Sequence, residues 1–346
     1  MTRGRARALL FALLVLLGLG LVSALQPGAP AQASGDGYGD VALYQETAAR
    51  VASGANYYTA IVGQQLQHGY PTAPFMVVRL PTLTFLEAAL GQAGTTIALV
   101  VLAVVALVAL LVRLEKAGIA RPEWWAALVL FGVNLALCAV GPVAWFHEAW
   151  AGVLILLAIA VRSERVWWPS VALGFAAVCF RELALPFLIV MVVVSWPRRK
   201  EAVAWCGAIV AFVGVYALHA LAVQAAQPPN PIASPGWVQF GGWPFILASV
   251  RLSSVLAVAP TVVTALAVPL ALFGWLFAAR SLRAATVTCV AFIACFLVVG
   301  RGENAYWGLL YATLLLAGLA FAPRGLVASV RAAISPTSHP ETTPQR

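Results

Sequence analysis

Between a first apolar stretch and a long series of hydrophobic segments lies a polar interval, residues 26–92. It holds Asp36, Asp40, Glu46, the pair Tyr57-Tyr58, His68 and the run Arg79-Leu80-Pro81. Three further knots of ionisable and aromatic residues interrupt the hydrophobic part: His147-Glu148, Arg181-Glu182 and Arg301-Gly302-Glu303-Asn304-Ala305-Tyr306-Trp307. A carboxylate such as Asp40 can take a proton from a hydroxyl, and the forked donors of arginine suit phosphate oxygens. Each knot also has a plainer role. Asp40 can cap a helix, His147-Glu148 can open one, and Arg181-Glu182 can be an ion pair closing a turn. Arg79 can snorkel to headgroups, and the run from Arg301 to Trp307 can be an interfacial anchor.

The elements that must position these residues are membrane helices. Of 346 residues, 62% are hydrophobic and 10% charged, against about 25% charged in soluble domains. That balance predicts an all-α polytopic integral membrane protein. Ten segments are candidate spans: about 7–25, 93–112, 123–141, 148–161, 166–180, 183–197, 202–224, 260–279, 284–300 and 305–322. The first carries Arg3, Arg5 and Arg7 and precedes Ala31-Gln32-Ala33, so it reads as either a cleaved signal or a retained helix. Its length favours the helix. The net charge of +9 is scattered in short clusters between apolar segments, a pattern of topology signals that speaks against nucleic acid. The five cysteines all fall in apolar segments without a CxxC pair and read as packing residues.

Short cytoplasmic loops collect Lys and Arg. With the N-terminus inside, 16 of the 21 basic residues are cytoplasmic, and Arg50, Arg79, Arg181, Arg251 and Arg301 remain outside. Both termini are then cytoplasmic. The scheme needs residues 166–197 to form two short helices with Arg181-Glu182 at an outward turn. A single span there would bury Arg181 in hydrocarbon and move every later basic cluster outside. All four knots then meet at the outward face. Asp40 starts an amphipathic run in which Val41, Tyr44, Ala48 and Val51 share a face, and Gly54 stops it. Residues 225–245 read as an outward loop rich in Pro and Gly, and 246–258 as an interfacial amphipathic helix. The division is therefore a first helix (1–25), a first extracytoplasmic loop (26–92), a membrane helical domain (93–322) and a cytoplasmic tail (323–346) expected to be disordered.

The order Asp40-x-x-x-Tyr44, Gly54, Tyr57-Tyr58, Gly69-Tyr70-Pro71 and Arg79-Leu80-Pro81 resembles the first loop of GT-C-type membrane glycosyltransferases. These enzymes take sugars from polyprenyl-phosphate donors. Arg181-Glu182-Leu183-Ala184 and Glu303-Asn304-x-Tyr306-Trp307 are similar to elements of bacterial members. The chain departs from the pattern in its short length, in Leu80 where Pro is common, and in having Asp36 and Asp40 four apart instead of an adjacent acidic pair. The resemblance implies a GT-C-like fold in the plasma (inner) membrane and inverting transfer of a sugar to a glycan or lipid acceptor hydroxyl. It casts Asp40 as the base, with His147, Glu148 and Asp36 assisting the base or orienting the acceptor. It assigns phosphate binding to Arg181, Arg79 and Arg301, and lining to Tyr44, Tyr58, Glu182, Glu303, Asn304 and Tyr306. It requires no cofactor and leaves a divalent cation open. Two other classes suit the composition: a transporter or flippase of an anionic or lipid-linked substrate, and a non-catalytic membrane subunit. No internal repeat favours the transporter.

Overall fold

The computed structural model describes residues 1–25, 39–236 and 238–334, and the Asp36 expectation lies outside them. The described residues form fourteen α-helices joined by short 3₁₀ turns, with no strand beyond two isolated bridges. A first helix, α1 (Arg3–Leu25), is followed by two short ones, α2 (Asp40–Ala52) and α3 (Tyr57–Gln67). The bundle continues with α4 (Thr82–Lys116), α5 (Arg121–Leu135), α6 (His147–Val161), α7 (Trp168–Phe180), α8 (Leu185–Ser195) and α9 (Arg199–Ala226). It ends with α10 (Gly242–Leu252), α11 (Thr261–Trp275), α12 (Arg283–Val298), α13 (Ala312–Leu316) and α14 (Ala322–Ile334).

Six helical stretches are long and apolar enough to cross a membrane: Arg3–Leu25, Phe75–Lys116, Arg121–Ala139, Arg199–Ala226, Arg280–Val298 and Ala312–Ile334. Their outer faces carry exposed large apolar side chains in helical repeat, such as Val101, Val104, Val105 and Val108 on α4 and Val203, Val210, Val213 and Leu221 on α9. An apolar surface of this extent suits lipid and not water. The core lies around α6, in which every residue from His147 to Ala160 is buried. The four remaining apolar helices, including α6, α7 and α8, have 10–17 residues each. At 1.5 Å per residue they fall short of a ~30 Å hydrocarbon core.

Contacts at the helix ends sort into two groups. At one end Arg3 donates to the Ala333 carbonyl (3.1 Å) and Arg113 to that of Ser281 (2.7 Å), while Arg324 pairs with Glu123 (3.1 Å). Arg198 meets Glu164 there at 3.5 Å, which joins the start of α7 to the end of α8. Those two helices therefore run antiparallel, with Arg181 (φ −150°, ψ 115°) and the 3₁₀ turn Glu182–Ala184 at the far end. The expected hairpin is in place, and the basic clusters of α1, α4, α9 and α14 share one end of the bundle.

Two expectations are corrected. Residues 323–334 are not a loose tail but α14, which packs on α1 and is tied to it by the Arg3 bond. The expected interfacial helix at 246–258 begins at Gly242 and is enclosed: Trp243, Phe245, Ile246, Leu247 and Val250 are buried, and α10 packs against residues 302–310 and α12. Most of its apolar residues face protein, and only the narrow stripe Pro244, Ala248 and Leu252 stays exposed. Of the cysteines, Cys206 is exposed on α9 and Cys138 and Cys289 are buried; all five are free thiols.

Candidate functional site

At the end opposite the basic clusters, four sequence-distant segments converge on two arginines. Arg79 lies in the extended stretch after the turn Phe75–Val77. Its Nε donates to the Tyr44 hydroxyl (3.3 Å) and its Nη2 to that of Tyr306 (3.2 Å). Among the described residues no carboxylate lies within ion-pair distance of it. Tyr44 is itself 5% exposed, and burial pushes its phenol well above the ordinary value, so it stays a neutral phenol that accepts from Arg79.

The local backbone around Arg79 is held from both sides. The Tyr57 hydroxyl donates to the Arg79 carbonyl (2.6 Å). His219 of α9 meets the Val78 carbonyl through Nε2 (3.1 Å) and the Tyr58 hydroxyl through Nδ1 (3.3 Å). A carbonyl only accepts, so Nε2 carries the proton and Nδ1 accepts from Tyr58. Tyr58, expected to line the site, thus spends its hydroxyl on His219. Tyr216, one turn earlier on α9, packs its ring against His219 (5.8 Å) and lies in the field of Glu182, Arg181 and Arg79. Tyr216 and His219 were not legible as site residues. The only available signal was an aromatic and a histidine spaced three apart in an apolar helix, a spacing that packing alone also produces.

Arg181 is 1% exposed and flanked by two acids. Its Nε pairs with Glu148 and its Nη1 with Glu182, both at 2.6 Å, and its guanidinium lies 5.9 Å from the Trp307 ring centre. Residue types explain the placement: α6 opens with Glu148 in its first turn, and Arg181 terminates α7. His147 is buried beside them, its ring meeting Tyr44 edge-on at 5.1 Å. Two glycines let the backbones approach. A Cβ on Gly152 of α6 would collide with the Leu309 carbonyl, and one on Gly308 with the Ser249 carbonyl of α10. These contacts seat the turn Gly302–Leu310, and with it Tyr306, over the start of α6.

Asp40 is the first residue of α2 and half-buried; the N-cap position falls to Gly39, which has no side chain to cap with. It stands one helical turn before Tyr44, whose hydroxyl meets Arg79. α2 stops as expected, with Gly54 in the left-handed region (φ 96°).

The remaining expected residues do not join. Arg301 pairs with Glu303 (2.7 Å) and donates to the Pro235 carbonyl (3.3 Å), and Asn304 accepts the Arg301 N–H (3.3 Å). All three are engaged in folding their own turn, so Arg301 has a local carboxylate in place of an external anion. Arg181 likewise has two carboxylates already, whereas Arg79 has none within ion-pair distance among the described residues. Among the described residues no three His, Cys, Asp or Glu side chains group to hold a metal ion. No family model, curated protein or solved structure matches the chain.

Proposed function

We propose that the chain is a membrane glycosyltransferase of GT-C type, with about ten membrane helices, that moves a sugar from a polyprenyl-phosphate donor to an acceptor hydroxyl on the extracytoplasmic side. The observation that carries the reading is Arg79: a largely buried guanidinium bonded to two phenols, without a carboxylate within ion-pair distance among the described residues, and with Asp40 one helical turn from its partner Tyr44. A cation in this setting asks for an anion, and a forked donor suits the phosphate of a lipid-linked sugar.

In this reading Asp40 accepts the proton of the acceptor hydroxyl as its oxygen bonds to the anomeric carbon, and the bond from that carbon to the lipid-phosphate oxygen breaks with its electron pair leaving on phosphate. Arg79, with Tyr44 and Tyr306, stabilises the charge that develops there. His147 and Glu148 shape the acceptor side. Arg181 acts as a positioning residue that fixes the starts of α6 and α8. The short helices around the cluster allow the prenyl tail to lie in lipid while its phosphate reaches the site. The test is direct: membranes bearing the wild-type chain and membranes lacking it are supplied with a panel of polyprenyl-phosphate sugars. Transfer above the background of the lacking membranes is expected from at least one donor; equal background across the panel would sink the reading.

A second reading, movement of an anionic or lipid-linked substrate, draws on one observation. Glu87 of α4 is 3% exposed with neither carboxyl oxygen hydrogen-bonded among the described residues, and the helix breaks one turn later at Gly91 (φ 66°). Buried carboxyls beside interrupted helices serve ion coupling in transporters. Uptake of labelled substrate lost in Glu87→Gln, with sugar transfer absent, would favour it.

A further inference from the structure

The basic end of the bundle holds a cluster that the proposed reaction does not use. Arg162, just past α6, is 7% exposed; its Nε pairs with Glu201 (2.6 Å) and its Nη2 donates to Ser195 (3.2 Å). Arg198, just before α9, pairs with the other Glu201 oxygen (3.0 Å) and loosely with Glu164 (3.5 Å), whose side chain is 91% exposed. Arg113 of α4 lies in the field of both arginines, donates to the Ser281 carbonyl (2.7 Å), and has a buried Nε with no hydrogen-bond partner. Glu201 thus serves two guanidinium groups, and Arg113 has no carboxylate within ion-pair distance among the described residues. The first turn of α9 adds unsatisfied backbone N–H groups: no side chain caps it, and Arg199 and Lys200 follow. The place is short of negative charge.

We infer that Arg113, Arg162 and Arg198 form a binding site for the phosphate of an anionic lipid headgroup at the basic end of the bundle. The forks of Arg113 and Arg198 hold phosphate oxygens, and Glu201 keeps Arg162 and Arg198 in register. Exposed Val112 and Val203, one helical position or turn from the charged groups, offer a surface along which acyl chains run. That adjacency favours a lipid over a free phosphate. A surface arginine that merely marks topology would be fully hydrated, whereas the Arg113 Nε is buried and unpartnered. The inference stands whether or not the chain transfers sugars.

The test measures thermal unfolding of the full chain in detergent with added phosphatidylglycerol, phosphatidylcholine of the same acyl chains, or inorganic phosphate. Phosphatidylglycerol is expected to raise the melting temperature of the wild type by about 2 °C or more. Arg113→Gln should lose most of that shift, and Arg7→Gln, which removes an exposed charge at the same end, should keep it. Should Arg113→Gln fail to fold, Arg198→Gln, which leaves Glu201 paired with Arg162, is expected to lose the shift in its place. An equal shift with phosphatidylcholine, or an equal loss in Arg7→Gln, would overturn the site. A shift from inorganic phosphate as large as that from the lipid would overturn the lipid assignment.

Discussion

Arg79 and Arg181 lie in the same cluster, yet they differ in what surrounds their charge. Arg181 sits between two carboxylates at 2.6 Å each. Removing it leaves Glu148 buried and uncompensated, so Arg181→Gln is expected to cost about 3–5 kcal/mol of stability, read in denaturant unfolding. Among the described residues, the side-chain bonds of Arg79 go to two phenols. Arg79→Gln should therefore leave folding nearly intact and lower kcat/KM for sugar transfer by about 10- to 150-fold, the worth of a hydrogen bond to a charged group. A large loss of stability with unaltered transfer would reverse these two roles. The sequence allowed either arginine to bind phosphate, because residue type and position at a span end are the same for both. Only the placement of Glu148 beside Arg181 separates them, and that contact joins residues 33 apart in number.

At the scale of elements, α6 and the turn Gly302–Leu310 meet through glycine. The Gly308 backbone lies against the Ser249 carbonyl so closely that a side chain has no room. Gly308→Val is expected to displace the turn carrying Tyr306 and to destabilise the chain by about 2 kcal/mol or more, measured as a fall in denaturation midpoint. Small residues do this work where apolar burial gives helices little reason to associate in lipid. Such contacts are invisible in a single sequence, as the chain has 28 glycines and, of the described ones, more than half face open space. Other elements were plainly legible. Gly54 ended α2, and the Arg181-Glu182 break split 166–197 into two helices because a charge pair there cannot sit inside a span. The misread elements, α10 and α14, are amphipathic helices. Amphipathicity announces two unlike faces but does not say whether the apolar face meets lipid or protein.

Across the whole molecule, charge sorting is the strongest signal the sequence carried. Arg3, Arg113, Arg162, Arg198 and Arg324 assemble at one end, and Arg79 and Arg181 at the other. Reporter fusions check the orientation that the positive-inside rule assigns: one in the loop at Gly118 is expected on the cytoplasmic side, and one after Leu221 outside. The reverse pair would place the cluster in the cytoplasm and remove the proposed donor from its reach. Length explains why ten spans were expected while six helices reach spanning length. Composition marks a segment as apolar, but whether a short one crosses depends on the neighbours that shield it.

The most direct test of the central claim is sugar transfer by Asp40→Asn in membranes where the wild type transfers. Asparagine keeps the shape of the side chain at the start of α2 and cannot accept the proton. Loss of about 10²- to 10⁴-fold in turnover, with the folded amount and donor binding retained, is the expected result. Undiminished transfer by Asp40→Asn would contradict the account.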